Sequence, residues 1–299
     1  MCGIVGLFIK DKKLEPDLGA LLSEMLGTMC VRGPDSAGFA VYSNGSPQAG
    51  IKITFSHLDP QSAQSAIKDI EAHLEYDLRP VRRFNHTTIT VRKSDEGFAR
   101  STLRNSAGLS VVSVGRRMEV FKDVGCPSDV ANSFGLPRMS GSHGIGHTRM
   151  ATESAVTTRG AHPFSTGVDE CLVHNGSLSN HAGLRRKLEH EGLKFETDND
   201  SEVAAGYLTW RMSKGETLGE ALKAGLSNLD GFYTFVVGTE SGFGVIRDPI
   251  ACKPAILAET DQYVAFGSEY RALAALPGVA NAKLWEPEPA TVYFWEHAA

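Results

Sequence analysis

Apolar residues recur at helical spacing at Leu14, Leu18, Leu21, Leu22, Met25, Leu26 and Met29, just after a short apolar run over residues 2–8. The run predicts a buried strand, and the spaced residues predict one face of an amphipathic helix, stopped by Gly33-Pro34. Residues 38–42 form a second strand, closed by the turn Asn44-Gly45. Asp59-Pro60 caps a further helix whose stripe is Ala63, Ala66, Ile67, Ile70 and Leu74. Strands are expected over 87–91, 109–114 and 118–121. Later helices run over 180–191, with Gly192 as the stop, over 200–212, and from the capping box Thr217/Glu220 to about residue 229. Strands at 231–237, 244–247, 255–258 and 263–267, a helix at 269–276 and a strand at 291–295 follow. Many strands with few intervening helices indicate a layered α+β fold rather than a doubly wound parallel sheet.

Composition narrows the class without naming a chemistry. The 299 residues are 41% hydrophobic and 22% charged, as in an ordinary globular protein. A net charge of −5 gives no reason to expect nucleic acid or an anionic membrane as partner. The apolar run Ile4 to Ile9 meets Lys10-Asp11-Lys12-Lys13 and is too short for a signal peptide, so a cytoplasmic location is expected. Five cysteines (Cys2, Cys30, Cys126, Cys171 and Cys252) are widely spaced and lack a C-x-x-C pair. They indicate neither a zinc site nor an iron–sulfur cluster on this chain, and no metal is assigned. Disulfides are not expected, and four of the five read as small buried hydrophobes. The chain reads as one domain over 2–299. Within it, residues 50–140, rich in Arg and Lys and poor in dense motifs, form an αβ insertion.

The chemistry gathers in four polar clusters and one terminal residue. The clusters are Arg32-Gly33-Pro34-Asp35, His147-Thr148-Arg149-Met150-Ala151-Thr152, His174-Asn175-Gly176 and Asp198-Asn199-Asp200-Ser201-Glu202, each placed at a strand end or a turn. Removal of Met1 would leave Cys2 carrying both a thiol and a free α-amine. An amine with an ordinary pKa of about 7.7–8.0 can take the thiol proton near neutral pH.

Together these motifs resemble the class II glutamine amidotransferases, members of the N-terminal nucleophile hydrolases. Later segments agree: Leu229-Asp230-Gly231-Phe232-Tyr233, Arg247-Asp248-Pro249-Ile250-Ala251-Cys252-Lys253-Pro254 and Gly267-Ser268-Glu269. The resemblance covers about residues 2–45 and 144–276. It implies a four-layer αββα sandwich of two antiparallel sheets, with Cys2 as the catalytic nucleophile. The Asn175 amide and the Gly176 N–H would supply the oxyanion donors. Arg149 and Thr152 would hold the glutamine carboxylate, and Asp200 its ammonium. Arg32 and Gly33 would support the nucleophile. His147, His174 and the His162-Pro163 turn read as structural. Three departures stand out: Met150 follows the arginine where relatives often have an aromatic residue, and the loop Glu153-Ser154-Ala155-Val156-Thr157-Thr158 differs from the family's common His-Gly form. The turn glycine usual near Ala251 and Cys252 is also missing, a change expected to be neutral.

A narrower resemblance is to the separate amidotransferase subunits of glutamate-synthase-like complexes, N-methylglutamate synthase among them. It implies that ammonia from glutamine passes to partner synthase subunits, a scaffold chain and a chain carrying FMN and iron–sulfur clusters. No cofactor is then expected on this chain. The short stretch after residue 276 holds no synthase motif, which agrees with an acceptor site elsewhere. The alternatives are a free-standing γ-glutamyl amidase and a catalytically silent scaffold subunit.

Overall fold

Gly3–Ile9 forms strand β1 and is buried along its whole length, because its alternate residues serve two different cores. Val5, Leu7 and Ile9 pack with Leu18, Leu22 and Met25 of helix α1 (Leu18–Thr28). Ile4 and Phe8 face the opposite way, into a core shared with a second sheet. A strand covered on both sides reads as a continuous apolar run, which is why residues 2–8 show no alternation. Each such large apolar side chain contributes roughly 1.5–3 kcal/mol when fully buried. The computed structural model describes residues 2–43, 50–151 and 155–297. The Asn44-Gly45 turn lies outside them, as do Thr152 and the Glu153-Ser154 part of the loop.

Strand β2 (Ser36–Tyr42) is followed by β3 (Ile51–His57), α2 (Pro60–Glu71), β4 (Val81–Arg83), β5 (His86–Val91), α3 (Glu96–Asn105) and β6 (Leu109–Gly115). Then come β7 (Met118–Val124), α4 (Pro127–Phe134), β8 (His143–Arg149), β9 (Phe164–Gly167) and β10 (Glu170–Leu178). Helices α5 (His181–His190), α6 (Asp200–Ser213) and α7 (Leu218–Asn228) lead to β11 (Gly231–Gly238) and β12 (Gly242–Arg247). The chain closes with β13 (Ile256–Glu259), β14 (Tyr263–Gly267), β15 (Lys283–Trp285) and β16 (Thr291–Glu296).

Seven strands form one sheet in the order β15-β13-β14-β1-β8-β2-β7, and five form another in the order β16-β12-β11-β10-β9. Ile4, Phe8, Ile145, Val173, Val236 and Phe243 fill the space between them. Helices α1 and α4 cover the outer face of the first sheet. Helices α6 and α7 cover the second through Val203, Leu208, Ala221 and Leu222, packed against Leu172, Phe235 and Ile246. The result is the expected αββα sandwich.

Within residues 50–140, the strands β4-β5-β3-β6 make a separate sheet with its own core around Ile53, Phe55, Ile70 and Leu103. Strand β7 instead pairs with β2 and completes the seven-stranded sheet. Helix α2 is capped by Asp59, which accepts from the Gln61 and Ser62 amides, and α7 carries the full Thr217/Glu220 capping box.

Four expectations need correction. Residues 269–276 form only a 3-10 turn at Tyr270–Ala272, where the Glu269 side chain is engaged by Arg32 and Arg271 and makes no cap hydrogen bond. Cys30 and Cys126 form a disulfide that ties the end of α1 to the start of α4. Of the other cysteines, Cys171 is buried, Cys2 half-buried and Cys252 exposed. A bridge across 96 residues leaves no mark in local spacing. Finally, Ala251 has φ 53°, so the missing turn glycine is not neutral. A Cβ in that left-handed region costs roughly 1–2 kcal/mol.

One buried carboxyl gives the fold a pH dependence. Glu170, at the start of β10, receives a hydrogen bond from Thr209 Oγ1 at 3.1 Å, and burial pushes it up to about 7 from an ordinary 4.5. The native state therefore holds a proton that the unfolded chain has released. Its contribution to stability falls as pH rises from about 4.5 to about 7 and is level above that, on top of the opposite slope from buried histidines such as His147. Glu170→Gln removes that one contribution. Urea denaturation at pH 5 and pH 8 should show the variant gaining about 3 kcal/mol on the parent at pH 8 and much less at pH 5. Equal gains at both values would refute the assignment.

Candidate active site

Cys2, the residue just before β1, is held through the strand that follows it and through its own carbonyl. β1 pairs with β8 so that Gly3 faces Thr148, and with β14 so that Val5 faces Gly267. Ile4 is fixed at both ends by Ser268: its amide donates to Ser268 Oγ at 2.9 Å, and its carbonyl accepts from the Ser268 amide at 2.9 Å. The Cys2 carbonyl accepts from Arg32 Nε at 3.0 Å and from Asn175 Nδ2 at 3.4 Å. Arg32 comes from the turn after α1 and Asn175 from the other sheet, so the two sheets meet at Cys2.

Arg32 is itself braced. Its guanidinium pairs with Glu269, which also holds Arg271 at 2.7 Å. Arg32's grip on the Glu269 carboxyl holds that group below its ordinary range. Gly33 follows because the chain passes against the β8 backbone: a Cβ there would sit 2.6 Å from the Arg149 amide nitrogen. Asp35 continues the turn by accepting from the Ala151 amide at 2.8 Å, while its own amide donates to Arg149 O at 3.1 Å. Arg149, the last residue of β8, is nearly buried and donates from Nη1 to Gly160 O at 3.3 Å.

His174-Asn175-Gly176 lies inside strand β10 rather than at a turn, paired with Phe235, Thr234 and Tyr233 of β11. Gly176 has φ 150°, and any Cβ would overlap Phe232 O. Glycine is required for both reasons. His174 Nε2 lies beneath the same position and has no partner among the described residues.

Asp200 opens helix α6, where the helix dipole favours an anion. Its Oδ2 accepts from the Leu178 amide at 2.9 Å, and Oδ1 accepts from Ser201 Oγ at 3.3 Å. Burial pushes the carboxyl up, yet His174, the Leu178 amide and the Ser201 hydroxyl together bring it down to about 2. It is therefore a carboxylate at neutral pH, as a partner for an ammonium must be.

Sequence reasoning missed the hub behind this group. Ser201 Oγ lies 2.8 Å from both His174 Nδ1 and His162 Nε2. His147 stacks on His162 with ring centroids 4.0 Å apart and donates from Nε2 to His174 O at 2.9 Å. Burial pulls His147 down to about 3 and His162 well below its ordinary value. The set closes when both ring N–H groups donate to Ser201 Oγ and that hydroxyl donates to Asp200. The histidines thus hold Asp200 in place, in agreement with their structural reading. Only the position of Ser201 inside the Asp198–Glu202 motif hinted at this role.

Cys2, Arg32, Gly33, Arg149, Asn175, Gly176 and Asp200 are accordingly carried by the abutting ends of β1, β8, β10, α6 and the α1 turn; Thr152 falls outside the described residues. Among the described residues, no group of three or more His, Cys, Asp or Glu is placed to hold a metal. No helix among them is long and apolar enough to cross a membrane.

Comparison with known proteins points the same way. Residues 147–275 match a glutamine amidotransferase domain family. The chain is 56% identical over 298 residues to a protein of Rhizobium meliloti named glutamine amidotransferase-like protein GlxB, covering 99% of each. It is 31% identical to a putative glutamine amidotransferase of Methanothermobacter thermautotrophicus, covering 98% of this chain and 99% of that one. Among solved structures, the glutamine phosphoribosylpyrophosphate amidotransferase of B. subtilis superposes with a TM-score of 0.63 at 20% identity. That match spans 99% of this chain and 47% of the other, and it speaks for the fold alone. The chain belongs to the class II glutamine amidotransferase family of N-terminal nucleophile hydrolases.

Proposed function

We propose that this protein is the glutaminase component of a glutamate-synthase-like complex, of the N-methylglutamate synthase kind. The observation that carries the reading is the double hold on Cys2: Arg32 on one side and the Asn175 amide on the other, with Arg149 on the adjoining strand. Met1 is removed first. The Cys2 thiolate then attacks the side-chain amide carbon of glutamine, and the Cys2 α-amine takes the thiol proton. Asn175 Nδ2 and the Gly176 amide donate to the developing oxyanion. The protonated amine returns its proton to the leaving nitrogen, releasing ammonia. Water then cleaves the thioester to glutamate.

Substrate is oriented at its other end. The Arg149 fork grips the α-carboxylate, with help from Thr152, and Asp200 pairs with the α-ammonium. Ammonia passes to an acceptor site on a partner synthase subunit, and FMN and iron–sulfur clusters belong to that partner.

Two measurements test this. The purified protein is treated with 6-diazo-5-oxonorleucine, a glutamine-like electrophile, and the adduct is mapped by mass spectrometry. Labelling at Cys2 is expected, and labelling elsewhere or none would overturn the catalytic reading. Isolation from its source should bring down a flavin-containing chain. A lone, fully active protein would favour the free-standing amidase instead.

A further inference from the structure

A cavity of about 410 Å³ opens between the inserted four-stranded sheet and the main body, apart from Cys2. Helix α3 and strand β6 form one wall, β9 and the turn at Thr158-Arg159 the other, and the 192–197 loop closes it. None of the residues that hold Cys2, and neither Arg149 nor Asp200, lines it.

Its chemistry is cationic and rich in hydroxyls. Arg100, Arg104, Arg159 and Lys194 stand around the opening, against two carboxylates, Glu196 and Glu202. Both carboxylates are committed. Glu202 accepts from the Glu196 and Thr197 amides, each at 2.8 Å, and from Thr197 Oγ1 at 2.7 Å. Glu196 receives Ser110 Oγ at 3.2 Å and faces Arg104 Nε at 3.6 Å. Arg100 pairs with Glu96 at 3.3 Å. Arg159 and Lys194 have no acidic partner among the described residues. Ser56, Ser110, Ser165 and Thr166 add hydroxyls to the lining.

The site is also built from below. Lys122 is buried beneath it and donates from Nζ to the carbonyls of Arg159, Ala161 and Pro163 at 3.2, 2.8 and 3.2 Å. It thereby fixes the turn that presents Arg159 and adds positive potential to a walled space, where field lines concentrate. The volume lies within the range of small-molecule sites.

We propose that this cavity is a second ligand site, for a small hydroxylated anion of the sugar-phosphate or sugar-acid class. Its occupant would share a turn with the substrate's carboxylate, because Gly160 O, beside Arg159, accepts from Arg149 Nη1.

Calorimetry on the full chain tests the proposal with glucose 6-phosphate, gluconate, glucose and inorganic phosphate as probes. Saturable binding of glucose 6-phosphate or gluconate is expected, and the tighter of the two identifies the anionic group. Glucose and inorganic phosphate should each bind at least about tenfold more weakly. The double variant Arg159→Ala/Lys194→Ala removes two exposed side chains, and its melting temperature reports on folding. It should lose about tenfold or more in affinity. Amide exchange at Gly160 and Ala161 should slow when the site is filled. The proposal fails if neither anion binds below about 10 mM, if affinity survives the double substitution, or if glucose binds as well as the anions. None of these readouts depends on glutaminase activity.

Discussion

Cys2→Ala is expected to reduce glutamine hydrolysis by about 10⁴-fold or more, since losing the nucleophile removes the covalent route altogether. The fold should be unaffected. Strand β1 begins at Gly3, and the contacts that hold the Cys2 position, from Arg32 Nε and Asn175 Nδ2, go to its backbone carbonyl. Far-ultraviolet circular dichroism and melting temperature should therefore match the parent while the glutaminase assay reads zero. The same reasoning extends to Met1. With Met1 retained, the Cys2 nitrogen is an amide with no basic lone pair, so the thiol keeps its proton and its leaving group lacks one. Intact-mass measurement beside the assay separates the two forms. Hydrolysis by Cys2→Ala, or full activity with Met1 in place, would sink the mechanism.

Asn175→Ala is expected to lower kcat by about 10²–10³-fold, equivalent to roughly 2.7–4 kcal/mol of transition-state stabilisation. In the proposed mechanism the loss falls on kcat, because the amide would donate to charge that exists only after attack. The glutamine KM, which that mechanism assigns to Arg149 and Asp200, should change little. Asn175 also donates to the Cys2 carbonyl at 3.4 Å, a long contact in a neutral pair, so its loss should cost little stability. A variant whose KM rises while kcat holds would show that Asn175 binds substrate rather than the oxyanion.

How far the site could be read ahead of the structure depended on the range of the interactions involved. β1, the Asp59 cap and the Thr217/Glu220 box rest on neighbours within a few residues, and each appears where its pattern places it. The helix expected from Leu14 starts only at Leu18, after a 3-10 stretch over Lys12–Asp17 that contains Pro16. The polar clusters were legible as chemistry, yet His174-Asn175-Gly176 looked like a turn because Asn-Gly usually makes one. Inside β10 the same pair instead continues a strand, paired without a break to β11, with the glycine required by close approach of Phe232 O. The Arg32–Glu269 pair, the Cys30–Cys126 bridge and the Ser201 hub join segments far apart in the chain. No local pattern encodes them. Strand β7 was recognisable as a strand, but its choice of sheet depends on pairing with β2 and could not be read from its own residues.

The place of β1 in the middle of the seven-stranded sheet has a consequence for timing. Its neighbours are β8 and β14, and the bonds that seat Ile4 come from Ser268, 264 positions later. During synthesis the first strand therefore leaves the ribosome long before either flank exists. Contacts so distant along the chain are slow to form and are made late. On the proposed mechanism the nucleophile would emerge first and become competent last, so a nascent chain would carry the thiol without the means to use it. Its reactive end would wait on contacts made from the C-terminal half, such as those of Ser268.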